Sequence, residues 1–175
     1  PGDAVELYNP TAAAVDVGSW YLTDDFNTPK KYRIPAGTVI PAGGYLTLYQ
    51  SNSFGIGPNT FSFGAKGDQV YLYSGDEAGN LTGYVHGFDF GPQASGATFG
   101  RYVNSVGSEQ FPTQISPTLG SANSGPLVGP IVISEVQYHP VDVLLGRGPV
   151  DNCIDEYIEL HNNSDSPVNL FSTTN

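Results

Sequence analysis

The side chains here that could do chemistry are three histidines, one cysteine and a surplus of carboxylates. His86, His139 and His161 are far apart and lack the short spacing of a zinc site, so each reads as a packing or surface residue. Asp151, Asp155 and Glu156 crowd one loop, and Asp24 and Asp25 another. Hard oxygen donors on loops are what calcium selects, and these five are the candidate ligands. Their spacing fits no recognised calcium loop, and a solvated acidic loop is the default reading. Glycoside hydrolysis needs two singled-out carboxylates, and nothing in the sequence separates two from the rest. There is no G-x-S-x-G, C-x-x-C, H-E-x-x-H, phosphate-binding loop or complete EF-hand. Tyr45, Tyr49, Tyr71 and Tyr73 alternate along two segments and could form a ligand strip, although cross-strand packing is the commoner use of tyrosine. The expectation is no catalytic residue, no cofactor-binding residue, no ion other than calcium and no enzyme activity.

Composition narrows the partners. Six Lys+Arg against 17 Asp+Glu leave a net charge of −11. That field repels phosphate backbones and anionic lipid, so no nucleic-acid partner is expected. No apolar stretch is long enough to cross a bilayer, so no transmembrane segment is expected either. Cys153 is the only cysteine, which excludes a disulfide within the chain and leaves an intermolecular bridge or an idle thiol.

The segments that would hold these residues alternate with period two, and none keeps a helical period for three turns. In Ala4–Tyr8, Val5 and Leu7 face one way, and in Tyr45–Tyr49 Leu46 and Leu48 do. Trp20, with Leu22, is the expected core anchor. Pro35-Ala36-Gly37 and Pro41-Ala42-Gly43-Gly44 read as turns, with proline presetting φ at the second corner and glycine taking the positive φ that follows, and they cut the chain into short strands. Ser51–Asn59 reads as a loop, Lys66-Gly67-Asp68 as a hairpin tip before Gln69–Tyr73, and Gly75–Asn80 as a turn before Thr82–Phe90. Thr98–Val103 would be the last strand. With 22 glycines and 14 prolines spread among short apolar runs, and 12% aromatics, this is an all-β pattern with many turns. Pro112–Pro130 is rich in proline, glycine and serine, as a linker or a surface-packed tail would be.

A constant offset of 153 positions aligns Glu6 with Glu159, Leu7 with Leu160, Asn9 with Asn162, Val15 with Val168 and Ser19 with Ser172. His161 then stands in place of Tyr8. A fixed spacing as long as a domain indicates tandem copies, with a chain that starts inside one copy and stops inside the next.

The order of these cues resembles the bacterial form of the lamin tail domain. They are AVELYN at Ala4–Asn9 with Val15, Val17, Trp20, Leu22 and Asp24, then YRIPAGTVIPAGGYLTLY at Tyr32–Tyr49. GDQVYLY at Gly67–Tyr73 and the closing stretch Phe99–Asn123 follow, and IVISEV at Ile131–Val136 with DEYIELHN at Asp155–Asn162 repeats the opening. The resemblance runs over Asp3–Asn123 and Ile131–Leu170, and departs where Thr173 replaces Trp20. It implies an immunoglobulin-like β-sandwich over 1–123, a linker at 124–130, and the start of a second repeat at 131–175.

In such a domain a strand like Ile131–Val136 precedes the one at Ala4–Tyr8, so the first copy is expected to lack its opening strand. Residues 131–136 are expected to complete a sandwich, either in cis or by swapping into a neighbour as a homo-oligomer. The function that the resemblance implies is a non-catalytic module repeated in a large secreted or cell-surface bacterial protein, acting as spacer, adhesion unit or protein-interaction unit. The alternative is an accessory domain that positions substrate, because similar bacterial modules accompany extracellular hydrolases, nucleases and CotH-like kinase domains. Eukaryotic members sit in the nuclear lamina and are linked to chromatin; the acidic field and the tandem copies speak against carrying that role over.

Overall fold

The computed structural model describes residues 2–146 and 148–170; Ser172 and Thr173, on which the repeat alignment touches, lie outside them. No helix forms among the described residues. The chain divides into two compact units, 1–126 and 127–175.

Among its described residues the first unit holds ten strands: β1 (Ala4–Tyr8), β2 (Val15–Asp16), β3 (Tyr21–Thr23), β4 (Tyr32–Arg33), β5 (Val39–Ile40), β6 (Tyr45–Tyr49), β7 (Asp68–Gly75), β8 (Leu81–Phe90), β9 (Tyr102–Val103) and β10 (Glu109–Gln110). One layer is β1 paired with β6, beside the short β2–β5 ladder. The other is a four-stranded sheet in the order β4-β3-β7-β8, antiparallel throughout. Period-two alternation sends Val5, Leu7, Leu46 and Leu48 inward from the first layer, and Leu22, Val70 and Leu72 inward from the second. They meet in one core with Val17, Ile34, Ile40, Phe54 and Phe61, which is the build of a β-sandwich.

Three details differ from expectation. Trp20 is half-buried, lying against the core with its ring 5.6 Å from that of Tyr84. The fully buried aromatic is Phe54, delivered by the loop Ser51–Asn59 and stacked 4.7 Å from Phe61. Ser19, with a φ of 69°, turns the chain sharply just before Trp20 and β3. Second, alanine, not proline, takes the second corner of the Pro41–Gly44 turn. Gly43 has φ 65° at the third position, and the Gly44 amide donates to the Pro41 carbonyl at 2.9 Å. Third, the turn expected at Lys66-Gly67-Asp68 runs Gly64–Gly67, its Gly67 amide donating to the Gly64 carbonyl at 3.0 Å, and no strand precedes it; Asp76–Asn80 is what closes the β7–β8 hairpin.

Of the expected closing strand Thr98–Val103, Tyr102–Val103 pairs with β10, and Phe99 forms an antiparallel bridge with Thr113, flanked by the bonds from the Gln114 amide to the Thr98 carbonyl at 2.8 Å and from the Gly100 amide to the Pro112 carbonyl at 3.1 Å. The segment after it is tied back to the first unit. The Gly125 amide donates to Gln114 Oε1 at 3.0 Å, and Gln114 bridges to Pro126. The division between units therefore falls after Pro126, inside the segment read as a linker.

The second unit holds β11 (Ile131–Gln137), β12 (Val143–Leu145), β13 (Gly148–Val150) and β14 (Tyr157–Asn162). β11 pairs with β14 and β12 with β13, both antiparallel, with a bulge in β11 between Ile133 and Glu135. The strand expected to complete a sandwich is thus part of a two-stranded ribbon. Every residue of β14 is exposed.

Candidate functional site

β1 is the element on which the geometry converges. In the ladder with β6 the Gln50 amide donates to the Asp3 carbonyl at 2.8 Å, and the Asn9 amide to the Gly44 carbonyl at 3.0 Å. Successive residues of a strand turn their N–H and C=O to opposite edges. Asp3, Val5, Leu7 and Asn9 therefore address β6, while Ala4, Glu6 and Tyr8 turn their backbone groups to the other edge. No described strand pairs with that edge. The Glu6 carboxylate beside it accepts the Gly120 amide and the Thr47 hydroxyl.

The end of β1 is fixed by Asn9, which is 4% exposed. Its Nδ2 donates to the carbonyls of Ala13 at 2.8 Å, Ile40 at 3.0 Å and Pro41 at 3.0 Å. Its Oδ1 accepts the Thr11 amide at 3.0 Å and the Thr11 hydroxyl at 2.8 Å. The turn recurs at the end of β14 at the same offset as the sequence repeat. Asn162 Nδ2 donates to Ser166 O at 2.8 Å, and Oδ1 accepts the Ser164 amide at 3.0 Å and its hydroxyl at 2.7 Å. Thr11 Oγ1 bonds Ala13 O at 2.8 Å, as Ser164 Oγ bonds Ser166 O at 3.0 Å. The Asn-x-Thr and Asn-x-Ser spacing was a visible signal for this side-chain-braced turn.

The ionisable candidates are dispersed. Asp24 pairs with Lys31. Asp25 braces its own turn, with Oδ1 accepting the Asn27 amide at 2.9 Å and Oδ2 the Thr28 hydroxyl at 2.8 Å. These bonds, Thr28 first, hold its carboxyl below the usual value. Asp155 accepts Asn152 Nδ2 at 2.6 Å. Asp151 comes together with neither Asp155 nor Glu156 but with His139 and Asp142, their ligand atoms within 4.8 Å of one another and all three residues exposed. The register explains this: Val143 pairs with Val150, so Asp142 and Asp151 flank the next pair of the β12–β13 hairpin. An imidazole with two carboxylates is a donor set suited to a transition metal rather than to calcium.

His86 reaches Glu109 Oε2 at 2.9 Å, and Arg101 bonds the other oxygen. Burial raises the Glu109 carboxyl, but the His86 and Arg101 bonds outweigh it and hold the group below its usual value. Sequence reasoning missed this trio because its members come from β8, β10 and the residue before β9, far apart along the chain. His161 lies on exposed β14. Cys153 is free and exposed.

The tyrosines fall on two different sheets. Tyr45 stacks on Tyr8 at 4.9 Å, directly across the β1–β6 ladder. Tyr71 and Tyr73 flank Phe26 at 5.1 and 6.1 Å, and the Tyr73 hydroxyl donates to the Phe26 carbonyl at 2.8 Å. A hydrogen bond to Asp89, then burial, raises the Tyr71 phenol. An open cleft of about 510 Å³ lies among Ser19, Arg33, Ile34 and Glu77, but the Arg33 guanidinium is engaged by the carbonyls of Asp76 and Glu77. What the arrangement offers is hydrogen-bonding backbone along an edge, next to a rigid core.

No curated protein and no solved structure matches the chain. Residues 1–87 match the family model described as Lamin Tail Domain, a match that spans β1 to β7 and most of β8 and stops short of both the closing stretch and the second unit. The first unit is therefore similar, over residues 1–87, to the lamin tail domain, a family of non-enzymatic immunoglobulin-like modules.

Proposed function

We propose that the chain is a stretch of a large secreted or cell-surface bacterial protein made of repeated lamin-tail-type sandwiches, working without catalysis as spacer, adhesion or protein-interaction unit. The carrying observation is the turn at Asn9 and its counterpart at Asn162, where the same four hydrogen bonds recur at the repeat offset. A single ancestral element accounts for both better than chance does. The parent sequence on either side of the chain tests it: further copies of the Glu-x-x-Asn-x-Thr/Ser turn are expected, and a parent without any would remove the reading. Turnover of phosphate esters, nucleic acid or glycosides by the purified chain would also overturn it.

A second reading is an accessory domain that positions substrate for an extracellular hydrolase, nuclease or CotH-like kinase domain in the same protein. It draws on Phe26, half-exposed between Tyr71 and Tyr73, as an aromatic platform. Pull-down on insoluble polysaccharide separates the two. Retention that Phe26→Ala abolishes supports the accessory role, and no retention leaves the first reading.

A further inference from the structure

The vacant edge of β1 and the partner of β14 can be compared position by position. The Asn163 amide donates to the Pro130 carbonyl at 2.7 Å, which sets the parity of that ribbon. β14 is regular, since the bulge lies in β11, so Tyr157, Glu159 and His161 turn their backbone groups toward β11. Carried across the repeat offset, these are Ala4, Glu6 and Tyr8. They are the residues whose backbone groups face the vacant edge of β1. β11 thus occupies, on β14, the place that stands open on β1.

The side chains agree. Val5 and Leu7 pack against the core of the first unit. Their counterparts Ile158 and Leu160 are 63% and 48% exposed, and on the same face Ile133 and Val136 are 64% and 50% exposed. A two-stranded ribbon with an uncovered apolar face is marginal in water.

We propose that the β1 edge is a docking site for β11 of a second copy of this chain. Transferred by the offset, the register is Gln137 opposite Ala4, Val136 opposite Val5, Glu135 opposite Glu6, Ile133 opposite Leu7 and Val132 opposite Tyr8. In that register Ile131, Ile133 and Val136 extend the apolar face of Val5 and Leu7, and an exposed stripe becomes part of a core. The Glu135–Glu6 juxtaposition is no obstacle, because Glu135 already lies opposite Glu159. β11 leaves β14 to do this. Reciprocal exchange closes a dimer, and one-way donation builds a row. This names a partner for the module proposed above and fails separately from it: a chain that stays monomeric says nothing about repeats in the parent.

The test uses the whole chain. Its mass is followed by sedimentation across a concentration series, and amide exchange at Ala4, Glu6 and Tyr8 by NMR at both ends of that series. The mass is expected to double or more with concentration. Exchange at the three amides is expected to slow by about tenfold or more in the assembled form. Ile133→Asp in β11 should abolish both effects while Val5 and Leu7 stay protected. A second variant, Glu6→Pro, removes a donor that faces only the vacant edge and should block acceptance. If it does not fold, Ile133→Asp alone decides. A monomer at every concentration overturns the proposal, whether or not the three amides are protected. Assembly that leaves them exchanging freely also overturns it.

Discussion

Asn9 shows how one side chain sets the end of a strand: a single buried amide satisfies three carbonyls and, through its oxygen, begins the next turn. Asn9→Ala takes one donor from each of these carbonyls, of which Pro41 keeps the Gly44 amide and Ala13 the Thr11 hydroxyl, and is expected to cost about 1–2 kcal/mol, read as a lower urea midpoint with Trp20 fluorescence as the probe. Asn162→Ala, in an exposed copy of the turn, should leave that transition unmoved; equal losses from both would contradict the account. Gly87 is the second pressure point. It lies opposite Tyr71 in the β7–β8 ladder, and a Cβ there would sit 2.1 Å from the Val70 carbonyl oxygen and 2.5 Å from the Tyr71 ring. The tyrosine ring covers the glycine, so Gly87→Ala should destabilise by about 1–3 kcal/mol in the same assay.

Among the elements, β8 and β10 are joined by the bond from His86 to Glu109. The Glu109 carboxyl is held below its ordinary value of 4.5 in the folded chain, so its contribution is present above that value and is lost as pH falls through the depressed one. Glu109→Gln should therefore lower stability at neutral pH and flatten the acid limb of a pH–stability curve. The change will be small, because the side chain is 33% exposed and solvent screens the pair. An unchanged acid limb would refute the coupling. The strands themselves were legible: the alternation in Ala4–Tyr8 and Tyr45–Tyr49 faces the core as its period requires. Phe54 was not legible, because its burial depends on a turn that carries it to Phe61, and no local period reports that. Nor was the Glu109 trio, whose members lie on segments that meet only once the chain has folded. The Asn9 turn was half legible: its residue types marked a turn, and its repetition at Asn162 became meaningful only once the hydrogen bonds could be compared.

For the molecule as a whole, the candidate calcium ligands of the first unit already have protein partners, Lys31 for Asp24 and the turn donors for Asp25. The unfolding temperature of the first unit is therefore expected to be the same in EDTA and in added calcium, and a calcium-dependent rise would mean that one of these bonds yields to an ion. The most direct check is residue-by-residue amide exchange along β1 in the dilute chain. The account predicts an alternating pattern, with Val5 and Leu7 slow and Ala4, Glu6 and Tyr8 fast. Uniform protection of all five at the lowest concentration, or uniform lack of it, would contradict a sandwich whose first strand has one edge paired and the other open.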